Sequence, residues 1–398
     1  MKSDAYLNAG VPFIRIENIK NGFSISTDNL IYISEFDNSR LKSSQLFEDD
    51  LILSKVGNTI GYYARVDSNI KNCNISENNI GIKLNSYNRD VKHYIMTFLN
   101  SKYGNILTLR RISGNAQPKL NVFDISEIPI PQFNEEFYKK ISDKIIKADE
   151  LKQHSKSLYS QAEDLLLNEL GLKEWQPKNT LHTTKKFSDF AQSGRLDAEY
   201  YQPKYDDLFE KLSCLNCKRL GKIVSIKKSF DPGSDAYQET GIPFIRVSDI
   251  SKDGIEKTEL HLSPIDFDIP ELKPKKDTIL FSKDGSIGIA YKVQSDLNVF
   301  TSGALLHLVT TDSSILPDYL TLVLNSVVVK LQAERDSNGA IIQHWKPSDI
   351  ENVIIPILPE QIQKKIASLI QQSFECRAQS KQLLEDAKRM VEAEIEKN

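Results

Sequence analysis

The chain repeats itself: Ser3-Asp-Ala-Tyr-Leu-Asn-Ala-Gly-Val-Pro-Phe-Ile-Arg-Ile16 returns as Ser234-Asp-Ala-Tyr-Gln-Glu-Thr-Gly-Ile-Pro-Phe-Ile-Arg-Val247, with nine identities in fourteen positions. A period near 230 residues is far longer than the 20 to 50 residues of a solenoid repeat, so it marks a duplicated globular domain. The copies stay in register. Leu51-Ile-Leu-Ser-Lys-Val-Gly-Asn-Thr-Ile-Gly61 answers Ile279-Leu-Phe-Ser-Lys-Asp-Gly-Ser-Ile-Gly288, and Asp124-Ile-Ser-Glu-Ile-Pro-Ile-Pro131 answers Asp349-Ile-Glu-Asn-Val-Ile-Ile-Pro356. Both copies then enter a Lys-Lys-Ile segment, at 139 to 141 and 364 to 366.

A length of 398 residues holds two real cores, because single cores stop growing near roughly 250 to 300 residues. The net charge of -3 rules out a uniformly basic coat while leaving local basic grooves open. No run of about 18 apolar residues is present, and the start Met-Lys-Ser-Asp-Ala lacks a signal-peptide core, so no membrane partner and a cytoplasmic location are expected. Four cysteines are too few for a disulfide framework. Cys214 and Cys217 have zinc spacing, but no second Cys or His pair follows, and no metal site is expected.

The stretches 11 to 16 and 242 to 247 read as strands, as do Ile52 to Lys55 and Thr278 to Ser282, each of the latter running into a glycine turn. A tight hairpin accounts for the glycines; it does not account for Lys55 and Lys283 standing before the turn in both copies. From Glu135 to Leu170, and again from Glu360 to Lys397, apolar or small residues recur in steps of three and four with no proline or glycine. That is a coiled-coil stripe, on helices of about 50 Å, and the simplest closure is an antiparallel pair; the alternative packs each helix on its own domain. The Arg195 to Lys204 segment reads as a short helix and Leu220 to Ile226 as a strand. The first copy has only Met1 and Lys2 ahead of its match, so the first domain is expected to lack about sixty residues that the second has.

No phosphate loop, dinucleotide fingerprint, zinc-protease helix, methyltransferase motif or nucleophile elbow is present, and the six histidines are scattered, so no catalytic residue is assigned. What repeats is polar and cationic. Arg15 and Arg246 end matching strands; Lys55 and Lys283 precede the glycine turns; Arg110, Arg111 and Arg335 precede turns at Gly114 and Gly339. After these come Gln117-Pro-Lys119 and Gln343-His344-Trp345-Lys346. Lysine and arginine hold phosphates, while glutamine and histidine read base edges, so these are DNA-binding candidates. The plainer reading pairs Arg15 and Arg246 with carboxylates in their own domains, and places Trp345 in the core.

The ordered set, two copies of Gly-x-Pro-Phe-Ile-Arg, then Ser-Lys-(x)-Gly-x-x-Gly, then Ile-x-x-Ile-x-x-Pro before a long helix, resembles the DNA-specificity subunit of Type I restriction-modification systems. Arg195-Leu-Asp-Ala-Glu-Tyr-Tyr201 looks like the opening of a target-recognition domain of that family. The resemblance implies an α+β fold with two β-rich recognition domains in pseudo-two-fold repeat, at 1–133 and 173–357. Long helices would occupy 134–172 and 358–398 and form an antiparallel coiled coil. It further implies a non-catalytic subunit that reads a split target in double-stranded DNA and recruits two methyltransferase subunits and the restriction and translocase subunits. AdoMet, ATP and Mg²⁺ would belong to those partners, with no cofactor in this chain. Two other readings stand beside it, a coiled-coil adaptor that binds protein and the specificity part of a fused methyltransferase or nuclease. The short amino terminus makes the second domain the one expected to bind DNA unaided.

Overall fold

Two apolar runs, Leu51–Ser54 and Ile279–Ser282, are buried along their whole length and form the central strands of equivalent sheets. Side chains of a strand alternate between faces. Leu51 and Leu53 therefore enter one core with Tyr63 and Phe98, while Ile52 enters another with Ile14 and Ile19. The computed structural model describes residues 6–397 apart from 21, 22, 28, 115, 116, 179, 181, 268 and 338–342. The opening Ser3, Asp4 and Ala5 of the first repeat and the Gly339 turn lie outside the described residues.

The chain forms two compact units, one of residues 1–153 and 376–398, the other of residues 154–375. In unit 1, Leu51–Ser54 pairs antiparallel with Tyr63–Arg65 and with Asn79–Ile82, which ends the sheet. In unit 2, Ile279–Ser282 pairs the same way with Ala290–Lys292 and Leu305–Thr310, and a fourth strand, Val224–Lys228, is added outside the latter. The repeated Pro-Phe-Ile segments are strands Val11–Ile14 and Ile242–Ile245, each carrying a parallel neighbour, Asn72–Ile75 or Phe300–Thr301. The sequence expectation for these strands holds to within two residues.

Two expectations in the linking segment are corrected. The Arg195 to Lys204 stretch is not one helix: a 3-10 turn at Ala198–Tyr201 is followed by a helix at Pro203–Ser213. Gln202 precedes a proline and is held extended, and Pro203 starts the new helix at its first position. Likewise Leu220–Lys222 is a 3-10 turn, and the strand begins at Val224.

Among the described residues, each unit buries one lysine or arginine at the end of a strand. Arg65 donates to Asp49 at 2.7 Å and pairs with Asp149, while His93 lies 3.1 Å from Asp49 and 2.9 Å from Ser142. Burial would raise the Asp49 carboxyl, but His93 and Arg65 outweigh it and hold it well below the ordinary range. In unit 2, Lys292 lies 3.2 Å from Asp277 and 3.0 Å from Asp318, which also accepts from Gln371 at 2.9 Å. Asp49 and Asp277 both have left-handed backbone, at φ 69° and 67°, a conformation aspartate tolerates.

The long helices run over Glu135–Glu169 and Glu360–Lys397. In unit 1 the Ser380 hydroxyl donates to the Ala148 carbonyl at 2.7 Å; from there the buried positions run back to Ile141 on one helix and on to Ala387 and Val391 on the other. The two segments are thus antiparallel. In unit 2 the Ser373 hydroxyl donates to the Ser155 carbonyl at 2.8 Å, and burial runs on to Ala162 and back to Ile366. The expected stripe of the second helix holds at 366, 373, 380, 387 and 391, which are buried, whereas 362, 369, 376 and 383 are half-buried and flank it; Ser373 and Ser380 are small enough for a hydroxyl to reach the opposite backbone.

Candidate nucleic-acid interface

The serine that ends each central strand holds the glycine turn behind it. Ser54 Oγ lies 2.8 Å from Thr59 Oγ1, and Ser282 Oγ donates to the Ser286 carbonyl at 2.6 Å and accepts from the Ile289 amide at 2.8 Å. The turns need positive φ, which Gly57 and Gly61, then Gly285 and Gly288, supply at 73° to 87°. Sequence reasoning quoted these serines within the motif and assigned them no role.

A second loop docks on the turn in both units. The Leu120 amide donates to the Lys55 carbonyl at 3.0 Å and Val56 bridges Lys119. Equivalently, the Trp345 amide donates to the Lys283 carbonyl at 2.8 Å, Asp284 bridges His344, and the Gly285 amide donates to the Gln343 carbonyl at 2.9 Å. The fold thus brings Lys55 to Lys119, and Lys283 to Gln343 and His344, although more than sixty positions separate members of the first pair and sixty the second.

The flanking arginines fall differently. A Cβ on Gly57 would lie 3.5 Å from Ile16, next to Arg15, and one on Gly61 would lie 3.1 Å from Leu109, next to Arg110. Lys55, Arg110 and Lys119 have no side-chain ion pair or hydrogen bond among the described residues. Arg111 donates to the Glu127 carbonyl at 3.1 Å. Arg15 pairs with Glu17, and half-exposed Arg246 lies 3.9 Å from Asp249, so the carboxylate reading accounts for both.

Two of the unit 2 candidates already have partners. Lys283 is not free: it pairs with Asp284, which also lies 2.9 Å from His344 Nδ1. Where unit 1 has Val56, unit 2 therefore has a carboxylate that offsets its basic loop. Arg335 does not join this loop either. Its guanidinium lies 4.2 Å from the Tyr200 ring centre and 4.9 Å from that of Phe209, and it donates to the Tyr200 hydroxyl at 2.5 Å. Exposed Lys346 shares with Arg335, Arg195 and Asp336 the lining of a cavity of about 540 Å³. Trp345 is buried, its ring centre 5.8 Å from that of Phe281, and belongs to the core.

The chemistry on offer is recognition by cations and amides. Among the described residues no three metal-ligating side chains gather, and no helix is long and apolar enough to cross a membrane.

A family model described as Type I restriction modification DNA specificity domain matches residues 215–389. The Type I restriction enzyme MjaIX specificity subunit of Methanocaldococcus jannaschii is 27% identical over 280 residues, 67% of this chain and 59% of that protein. The EcoBI specificity subunit of Escherichia coli is 27% identical over 145 residues, 36% of this chain and 30% of that one. The chain's matches thus span less than two thirds of the length of either relative. Among solved structures, the S subunit of a Type-I restriction-modification system from M. genitalium matches at TM-score 0.40 and 16% identity, covering 99% of this chain and 90% of that one. The HsdS subunit from Thermoanaerobacter tengcongensis matches at 0.33 and 16%, covering 97% and 89%.

Proposed function

We propose that this chain, of which residues 215–389 match the family model of the Type I restriction modification DNA specificity domain, is a DNA-binding specificity subunit of a Type I restriction-modification complex. Its two units each read one half of a split target in double-stranded DNA. Catalysis, with AdoMet, ATP and Mg²⁺, falls to the methyltransferase and restriction subunits that it recruits. The observation that carries this reading is the recurrence, in both units, of a glycine turn docked against a basic or amide-bearing loop. A phosphate-contacting surface needs cations not already paired with carboxylates, able to displace the counterions condensed on the phosphates, and among the described residues Lys55, Lys119 and Arg110 meet that need in unit 1.

Asp284 engages Lys283 and His344 in unit 2, which supports unit 1 as the stronger phosphate-contacting surface. The test is DNA binding by the assembled complex as a function of salt. Lys119→Ala and Arg110→Ala should each weaken binding across sequences and lower the salt slope by roughly one, whereas Lys283→Ala should change the slope by less. Unchanged affinity and slope in the first two variants would remove these residues from the interface, and an assembly without DNA affinity would end the reading.

A further inference from the structure

Both units dock a second loop on the glycine turn through the same backbone contacts, yet they place different side chains at the junction. In unit 1 Val56 bridges Lys119 and the Leu120 amide reaches the Lys55 carbonyl; in unit 2 Asp284 bridges His344 and the Trp345 amide reaches the Lys283 carbonyl. Val56 thus corresponds to Asp284, and Lys119 to His344. Docking itself needs no side-chain bond, since unit 1 achieves it with an aliphatic residue and a lysine. The carboxylate and the imidazole of unit 2 are an addition to the loop.

That addition orients a ring. Asp284 Oδ2 pairs with Lys283, and Asp284 Oδ1 lies 2.9 Å from His344 Nδ1. The Lys283 and Asp284 side chains are largely shielded, whereas that of His344 is 62% exposed. The backbone on either side is held as well, because the Gln343 carbonyl accepts from the Gly285 amide and Trp345 is buried in the core. An exposed contact of this kind adds little to stability, so its consequence is orientation. A carboxylate in an ion pair offers only lone pairs, which makes Nδ1 the donor and places the ring hydrogen there. In the neutral imidazole the other nitrogen then carries the lone pair. Nε2 has no hydrogen bond among the described residues, and with both oxygens of Asp284 engaged it is the acceptor that this cluster has to offer.

We propose that His344 is a specificity-determining residue of unit 2, whose Nε2 accepts a hydrogen bond from the exocyclic amine of one adenine or cytosine in the major groove, and that Asp284 is the positioning residue that sets its tautomer. The inference rests on the DNA-binding reading above and adds to it the class of base that is read. In the major groove adenine N6 and cytosine N4 donate, while guanine O6 and N7 and thymine O4 accept and would leave the Nε2 lone pair unpaired. The two units therefore differ in kind: Lys119 supplies charge, which is indifferent to sequence, and His344 supplies a directed acceptor.

The test is selection of duplexes from a randomised pool by the assembled complex at pH 8, with the bound DNA sequenced, for the parent and for His344→Ala, His344→Lys and Asp284→Val. At one position the parent should favour adenine or cytosine over guanine or thymine by about tenfold, and His344→Ala and Asp284→Val should each reduce that to about twofold or less with the other positions unchanged. His344→Lys should move the preference to guanine, whose O6 and N7 accept from lysine. Total DNA binding should not fall in Asp284→Val, which gives unit 2 the unit 1 residue and releases Lys283. Unchanged preferences in His344→Ala overturn the proposal, as does a lost position that had favoured guanine or thymine. Asp284→Val that keeps the preference removes the positioning role, and Asp284→Val that loses DNA binding together with thermal stability makes the pair structural; either result overturns the proposal. A parent complex that binds no DNA overturns the DNA-binding reading, and this inference with it.

Discussion

His307 stands inside the Leu305–Thr310 strand, its Nε2 2.8 Å from Thr301 Oγ1 and its place in the ladder opposite Lys227. Burial, and then the Lys227 charge, lower its pKa from 6.5 to about 4. The ring is neutral in the folded protein at pH 7, and the stability that this represents is present above the unfolded pKa near 6.5. As pH falls toward 4 the unfolded chain takes up a proton that the folded one refuses, and stability drops by on the order of 3 kcal/mol. Melting temperatures at pH 7.5 and pH 4.5 should therefore diverge more in the parent than in His307→Gln; equal divergence would refute the coupling. Residues of this kind are not legible from sequence. His307 and His344 look alike there, yet one is sealed between strands and the other lies beside Asp284 with most of its side chain exposed. The same limit hid the pairing of Lys283, because an aspartate one position later reads as a turn residue until the loop carrying His344 is seen to dock on it.

At the level of elements, the repeat makes much of the architecture readable, since a strand that ends in Ser-Lys before a glycine turn returns with the same register in both units. Helix extents were equally plain, because long stretches without glycine or proline leave few places to stop. What the pattern could not show is which members of the stripe bond across to the other helix: Ser380 reaches the Ala148 carbonyl in unit 1, and Ser373 the Ser155 carbonyl in unit 2. Ser380→Leu should be costly for that reason, as an added side chain would have to push the backbones apart: a loss of about 1–3 kcal/mol is expected in urea unfolding. A neutral effect would mean that the seam has room to spare. The break at Gln202 and Pro203 could have been read from the proline; the helical look of its neighbours outweighed it.

On the scale of the molecule, the net charge of -3 means that attraction to DNA has to come from local clusters. Each compact unit takes part of both long helices into its core. In unit 1, residues 376–398 supply Ala387 and Val391 to the core, and Glu392 and Glu396 accept from Lys102 and Tyr103. Removing residues 376–398 should speed amide exchange in 89–109 and 135–150 by on the order of a hundredfold, the equivalent of roughly 3 kcal/mol of lost burial, while 305–310 stays slow. Exchange that accelerates equally in 305–310 would show that the two units do not open separately.

That arrangement also fixes an order of events during synthesis. Unit 2 is an uninterrupted run of 154–375, whereas unit 1 needs residues from both sides of it. On the ribosome, Ile141 and Ile145 are made early but meet Ala387 and Val391 only after the whole of unit 2 has been translated. At roughly 5–20 residues per second, that is a wait of about ten to forty seconds. Unit 1 is thus begun before unit 2 and completed after it, with Ile141 and Ile145 left without their partners in the interval.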